Sequence, residues 1–430
     1  MKQKNSFHDF LVDDWLIYLE TRHHTEIQLG LARVKQIAER LNLLKFDAYI
    51  ITVAGTNGKG STIAALEAIY ASAGYTVAAY TSPHLLCFNE RIRLNQDNIT
   101  DTALCNAFLS IHAVPDSQTL TYFEMVTLAA LWYFKQNKPN IILLEVGMGG
   151  RLDATNCIDA DLAIITTIDL DHQAFLGTTR DEIAIEKAGV FRPNQQAVYA
   201  DINPPQTLLN KAKLHNLQLS MLHQDYDFEI HENKFIFSAP SRHTLTLQRP
   251  KIHPQAFAAA IMASIKGQDI LPVSELAYQK AAKTAEISGR QQWLSHTSIP
   301  TLIDVAHNAQ SVNLLAEYVR EQAIEGKIHA VFSGLQDKTL YDLIAPMRAY
   351  VNTWYLTTIN HARGATKSSL KTVCPRAEIF NEPRLAYTAA VNAAKPGDII
   401  VVYGSFLLVS AVMSYLYSDL HEGATHELSN

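Results

Sequence analysis

Cysteine is scarce in this chain. Cys87, Cys105, Cys157 and Cys374 are the four among 430 residues, far apart and with no Cys-x-x-Cys pair. Such spacing excludes a disulfide framework, argues against zinc, and predicts reduced thiols in a cytosol. Basic charge is not in excess either. With 36 Lys and Arg against 42 Asp and Glu, the formal net charge is −6, so a nucleic-acid partner held by a general basic field is not expected. Long apolar runs are also missing. The stretch after Phe10 is broken by Asp13 and Asp14, which speaks against a secretory signal. Ile399 to Tyr417 carries no charge and is about long enough to cross a bilayer. Yet Ile399–Tyr403 reads as a strand, Gly404-Ser405 as a turn and Phe406 onward as a helix, so a buried strand–helix pair is expected and no membrane partner. Neither an internal repeat nor a low-complexity segment is present.

What the chain does have is apolar content, 48% hydrophobic against 18% charged, the balance of a folded globular protein. Its length exceeds one ordinary core and predicts two domains. Short β-rich runs at Tyr49–Val53, Thr76–Tyr80, Ile141–Glu145, Leu162–Ile168 and Ala197–Ala200 alternate with helical segments. This pattern predicts a parallel sheet covered by helices on both faces. Asp225 to Leu247 turns polar and alternating, a hairpin insert, and helices follow over Gln255–Lys266 and Pro272–Thr284. The pattern restarts near Ile287, with strands at Thr301–Val305, His329–Ser333, Trp354–Thr358 and Ile399–Tyr403. The expected fold class is therefore α/β in two domains. Residues 1–286 form an N-terminal P-loop-type sheet covered by helices, and 287–430 a smaller Rossmann-like α/β domain.

The most specific segment is Thr52-Val53-Ala54-Gly55-Thr56-Asn57-Gly58-Lys59-Gly60-Ser61. A strand turns through glycines into a helix on which Leu66, Ile69, Tyr70 and Ala73 share one face, and Gly74 supplies the stop. Backbone N–H groups at such a helix start converge where the helix dipole favours negative charge. Lys59 adds a cation for terminal phosphates, and Ser61 an oxygen for Mg²⁺. The spacing departs from the common P-loop: only Thr56 and Asn57 separate Gly55 from Gly58, and Gly60 separates Lys59 from Ser61.

Ligands of parallel sheets gather at the carboxyl ends of strands, and several chemically capable groups fall there. Glu145 closes an apolar strand ahead of Gly147, Gly149 and Gly150. It is either a metal ligand facing the phosphate cradle or a solvated start of a loop. Asp171-His172 follows the next strand in the same way, with Asp169 and Asp171 able to orient the ring. Ser82 precedes Pro83 in what is otherwise a common turn. Thr121 and Glu124 form a capping box at a helix start, which accounts for them structurally as well as a binding role would. Leu152-Asp153-Ala154 follows the glycine loop and could line a groove. Lys187, near a helix end, reads on charge alone as a solvated lysine. In the second domain Asp304 through Asn308 again end a strand, and Arg290 lies in the connection. From there they could close over a nucleotide and exclude water.

Taken together, Ala54–Ser61, Thr81–Leu85, Thr121–Glu124, Glu145–Asn156, Asp171-His172, Glu186–Gly189, Gly289-Arg290 and Asp304–Asn308 resemble the folylpolyglutamate synthase/dihydrofolate synthase family of the Mur-ligase-like superfamily. The resemblance implies an ATP-dependent ligase joining L-glutamate to dihydropteroate or a reduced folate through an acyl phosphate; a monomer is the default expectation, and the cysteine usage points to the cytoplasm. It implies ATP phosphates on Gly58, Lys59, Gly60 and Ser61, with Arg290, Asp304 and His307 beside the nucleotide. Ser61, Ser82, Glu145 and His172 match Mg²⁺ ligands, with two ions expected. Lys187 matches a carbamylated lysine that would bind the second ion, which leaves Lys59, His172 and Lys187 as the catalytic set. Thr121, Tyr122, Phe123 and Glu124, with Leu152, Asp153 and Ala154, match pterin-site segments. Gln255 follows Pro254 where the family often has Asn, and Thr339 stands where an acid is more usual, so Asp337 receives no role. A cell-wall Mur ligase and a nucleotide switch without ligase activity are the rivals. The first usually carries a nucleotide-sugar domain before the loop, for which some fifty residues are too few.

Overall fold

A computed structural model describes residues 6–22, 28–240, 242–294 and 297–427. The chain divides into two compact units, Met1–Glu286 and Ile287–Asn430. In the first, eight strands form one sheet in the order Asp97–Asn98, Ile92–Leu94, Val77–Tyr80, Ile141–Glu145, Tyr49–Ala54, Leu162–Ile165, Gln196–Tyr199 and Gln218–Met221. The last six run parallel, and the first two add an antiparallel edge. The central strands are apolar throughout because both faces are covered. Tyr49–Ala54 and Ile141–Glu145 are buried along their whole length, as parallel strands under helices must be. On one face two clusters lie side by side, one around Trp15, Phe108, Phe134 and Leu144 and one around Ile165, Ala184 and Tyr199, while the helices Lys59–Ser72 and Pro254–Lys266 pack against the sheet from the other. Burying a large side chain such as Leu144, Phe108 or Ile165 is worth about 1.5–3 kcal/mol.

Register matters for the site. Val53 lies opposite Glu145, Ala54 opposite Ile165, and Tyr80 opposite Leu144. Four neighbouring strands therefore end level, and the loops that follow them share one rim.

Two readings of the sequence need correction. The polar stretch before the Pro254–Lys266 helix is a three-stranded antiparallel sheet, with Lys234–Ala239 between Asp227–His231 and Arg242–Gln248, not a hairpin. The helix after the glycine turn, Lys59–Ser72, is not one-sided either. Ile63, Ala65 and Ala68 are buried as well as Leu66, Ile69 and Tyr70, because the helices Pro254–Lys266 and Glu275–Thr284 pack over the face it turns away from the sheet. Even Glu67 is enclosed, its carboxylate paired with Arg93. Gly74 ends the helix as expected: its φ is 89°, and Tyr75 N–H returns to the Tyr70 carbonyl at 3.0 Å.

The second unit has a six-stranded sheet ordered Gln292–Leu294, Thr301–Asp304, Ile399–Tyr403, Ile328–Phe332, Thr353–Thr357 and Glu378–Phe380. All neighbours are parallel except the first pair. Ile399–Tyr403 is its buried centre and Phe406–Glu427 the helix after it. Among the described residues no helix is long and apolar enough to cross a membrane.

Candidate active site

The glycine turn is tied to the next strand's loop by its backbone. Thr56 N–H donates to the Thr167 carbonyl at 2.7 Å, and Asn57 N–H to Thr167 Oγ1 at 3.0 Å. Thr166 Oγ1 donates to the Asn57 carbonyl at 2.6 Å. Gly55 and Gly58 have φ of 148° and 85°, and a Cβ on Gly55 would sit 1.8 Å from Thr166 Oγ1. The turn is thus a left-handed, tightly packed shape that only glycine adopts without strain. Thr62 N–H is the first to reach back into the helix, onto the Gly58 carbonyl at 2.9 Å. The N–H groups of Lys59, Gly60 and Ser61 precede it and have no intrahelical carbonyl to bind, which makes an anion cradle. Lys59 folds over this turn, donating to the Gly55 and Thr56 carbonyls at 3.1 and 3.2 Å. The lysine is thus held in place by the loop itself.

Around the rim, Glu145 is buried and its Oε2 accepts the backbone N–H of Ser82 at 3.2 Å. His172 is exposed, at φ 49°, and its Nε2 lies 3.9 Å from Asp171 Oδ2. Ser61 is buried in the first turn after the cradle. Among the described residues no three His, Cys, Asp or Glu side chains cluster as a self-sufficient metal cage. The donors here are hydroxyls, one carboxylate and one imidazole. That set suits Mg²⁺, which takes few protein ligands and completes its shell with phosphate oxygens and water.

Lys187 overturns its charge-based reading. It ends the helix Arg180–Lys187 but is only 4% exposed. Burial, reinforced by the charge of Lys59, pulls its amine down to about 7, with Asp171 and Asp153 opposing. Arg151 N–H donates to the Glu186 carbonyl at 2.8 Å, which draws the glycine loop over the lysine.

A cavity of about 300 Å³ is lined by Ser82, His172, Phe123 and Leu152 among others, a size suited to a small organic ligand. Asp153 lines it. Its carboxylate accepts Met148 N–H, Thr155 N–H and Thr155 Oγ1 at 2.9, 3.0 and 2.7 Å. Burial raises its pKa, with those donors resisting. Thr121 and Glu124 do form the capping box: Thr121 N–H meets Glu124 Oε2 at 2.8 Å and Glu124 N–H meets Thr121 Oγ1 at 3.3 Å. Both residues also line the cavity, so the capping box does not withdraw them from it. Arg33 grips Glu124 through Nε and a terminal nitrogen at 3.2 and 3.0 Å. Tyr122, the first residue of that helix, lies under the Arg91 guanidinium. Ala154 begins a short turn that Asp153 caps.

Sequence reasoning passed over Gln28–Gly30, Arg33 and Arg91, and gave His84 a place in the Thr81–Leu85 segment without a role. Arg91 stands in the mixed run Phe88-Asn89-Glu90-Arg91-Ile92-Arg93, where no spacing or periodicity separates it from its charged neighbours.

In the second unit, Asp304 is buried and accepts Gln291 N–H at 2.9 Å and Ala306 N–H at 2.7 Å. Burial raises its pKa while the Arg290 charge lowers it. Arg290 lies 5.1 Å from the Phe406 ring centre, and the His307 ring 5.7 Å from it. Asn308 caps the helix Ala309–Glu321. Gln255, in the first unit, is committed to the Ala200 carbonyl.

A strand-rim phosphate cradle and a second α/β unit match two family models in turn, the Mur ligase middle domain over residues 53–251 and the Mur ligase glutamate ligase domain over 289–406. The chain is 37% identical over 402 residues to the dihydrofolate synthase/folylpolyglutamate synthase of Escherichia coli strain K12, covering 94% of each. It superposes on E. coli FolC in complex with DHPP and ADP with a TM-score of 0.91 at 36% identity, covering 96% of this chain and 99% of that one. A bifunctional folylpolyglutamate synthase/dihydrofolate synthase solved with Mn, AMPPNP and L-glutamate matches with a TM-score of 0.89 at 38% identity, covering 96% and 100%. The chain belongs to the dihydrofolate synthase/folylpolyglutamate synthase family.

Proposed function

We propose that this chain is an ATP-dependent ligase that adds L-glutamate to dihydropteroate, giving dihydrofolate, and to tetrahydrofolate and its polyglutamates. The observation that carries this reading is the cavity lined by Phe123 and Asp153 together with Ser82 and His172, the last two in loops that follow strands ending at the same rim as the cradle. A flat heterocycle held at the Asp153 end would send its carboxylate toward that rim. There a carboxylate oxygen attacks the γ-phosphorus of ATP, ADP leaves, and an acyl phosphate forms. The glutamate amine then attacks the acyl carbon, loses a proton, and expels phosphate as the amide forms. A free carboxylate is a poor acyl donor, and this route supplies a good leaving group.

Gly58, Lys59, Gly60 and Ser61 bind the phosphates, with Lys59 offsetting negative charge on the transferred phosphoryl group. Ser61, Ser82, Glu145 and His172 would hold Mg²⁺, with Lys187 as a carbamate serving a second ion. When bound, the ions stabilise charge on the phosphoryl oxygens. Lys187 suits that role because an amine held near neutrality can add to CO2, releasing one proton and becoming an anion. Thr121 to Glu124 and Leu152 to Ala154 form the pterin pocket, and Arg290, Asp304 and His307 contribute contacts to the nucleotide. We place the enzyme in the cytosol as a monomer, in keeping with four cysteines outside any disulfide.

The test is an ADP-release assay. Release that requires both dihydropteroate and glutamate is expected, and none with UDP-muramoyl substrates. The reverse pattern would move the chain to the cell-wall ligases.

A further inference from the structure

Arg91 is 9% exposed and lines the cavity. Its Nε donates to His84 Nδ1 at 2.9 Å, which fixes that ring with its proton on Nε2. The guanidinium lies 5.3 Å from the Phe88 ring centre and 6.0 Å from that of Tyr122, so its plane is set as well. Among the described residues no carboxylate pairs with Arg91, and neither terminal nitrogen has a hydrogen-bond partner. The neighbouring acids are already engaged. Glu90 accepts three backbone N–H groups, from Leu85, Leu86 and Cys87. Glu124 is held by Arg33 and Asp153 by its own turn. A buried cation without a counter-ion is costly, and this one has its fork held rigid from three sides.

We infer that Arg91 is a substrate-binding residue whose terminal nitrogens take the carboxylate of the pterin-bearing substrate before it is activated, and that His84 is the positioning residue that aims it. The planar pair of donors matches a carboxylate's two oxygens. Arg91 lines the same cavity as Ser82, and its partner His84 follows Ser82 by two residues in the turn after the strand Val77–Tyr80. The inference rests on the pterin-ligase reading and deepens it.

Calorimetry on the full chain, with chelator and no nucleotide, tests it. Dihydropteroate is compared with 6-hydroxymethyl-dihydropterin, which keeps the ring and lacks the benzoate. Arg91→Gln is expected to weaken dihydropteroate binding by about tenfold to a hundredfold and leave the fragment within about twofold of wild type. Arg91→Lys should lose less, and His84→Ala several-fold for the acid alone. Equal losses for both ligands, or none, would overturn the inference. Should the variants not fold, the wild type decides: binding the methyl ester of dihydropteroate as tightly as the acid would overturn it. Wild type that binds neither ring compound sinks the pterin reading and this inference together. Wild type and Arg91→Gln binding dihydropteroate alike sinks the inference alone.

Discussion

Glu145 Oε2 accepts the backbone N–H of Ser82 at 3.2 Å, joining the ends of two neighbouring parallel strands. One carboxylate oxygen thereby fixes the turn that offers the Ser82 hydroxyl, while the side chain stays buried at the same rim as the cradle.

Replacing either charged partner of the phosphate chemistry should silence the enzyme without unfolding it. Glu145→Ala and Lys59→Ala are each expected to lower glutamate-dependent ADP release by at least about a hundredfold, with circular dichroism unchanged. Near-normal turnover in a folded variant removes that residue from the site.

Lys187 should carry CO2. Enzyme equilibrated with ¹³C-bicarbonate is expected to give a single carbamate resonance that is missing in Lys187→Gln, and short carboxylic acids should partly restore turnover to Lys187→Ala. An unmodified amine in active enzyme refutes the carbamate.

Gly55→Ala places a methyl against Thr166 at a φ of 148°. A stability loss of about 1–3 kcal/mol is expected, together with nucleotide affinity reduced by at least about tenfold. Thermal melts with and without ADP read both.

Asp398 governs part of the acid limb of stability. Lys327 and Lys395 donate backbone N–H groups to it at 2.7 and 2.9 Å, and His329 Nε2 lies at 3.2 Å. Led by the two N–H bonds, these contacts hold its carboxyl down at about 2. Since the unfolded value is about 3.9, the folded state gains stability above that pH and loses it as pH falls toward 2. Asp398→Asn should unfold more easily at neutral pH and show a flatter decline between about pH 4 and 2. A decline as steep as wild type's would release Asp398 from this role.

Much of the site could be read from the chain because strand ends announce themselves. Apolar runs that stop at Gly55, Ser82, Glu145 and Asp169 bring chemistry to one rim whenever the strands are parallel neighbours. The capping box of Thr121 and Glu124 was legible for a similar reason, being local. Properties set by distant segments were not. The burial of Lys187 depends on Gly150, where a Cβ would meet the Glu186 and Lys187 carbonyls at 2.8 and 2.9 Å. The enclosure of Lys59–Ser72 depends on helices some two hundred residues later. Arg91 needed His84, Phe88 and Tyr122 in three dimensions before its orientation meant anything.

That enclosed helix has a kinetic consequence. A loop that grips phosphate is commonly among the first parts of a protein to fray, yet this one is the leading end of a rod surrounded by sheet and helices. The hydrogen-bonded amides of Ile63 to Tyr70 behind it should exchange with deuterium only when the whole first unit opens. The cradle would then be among the last places in the molecule to loosen on warming.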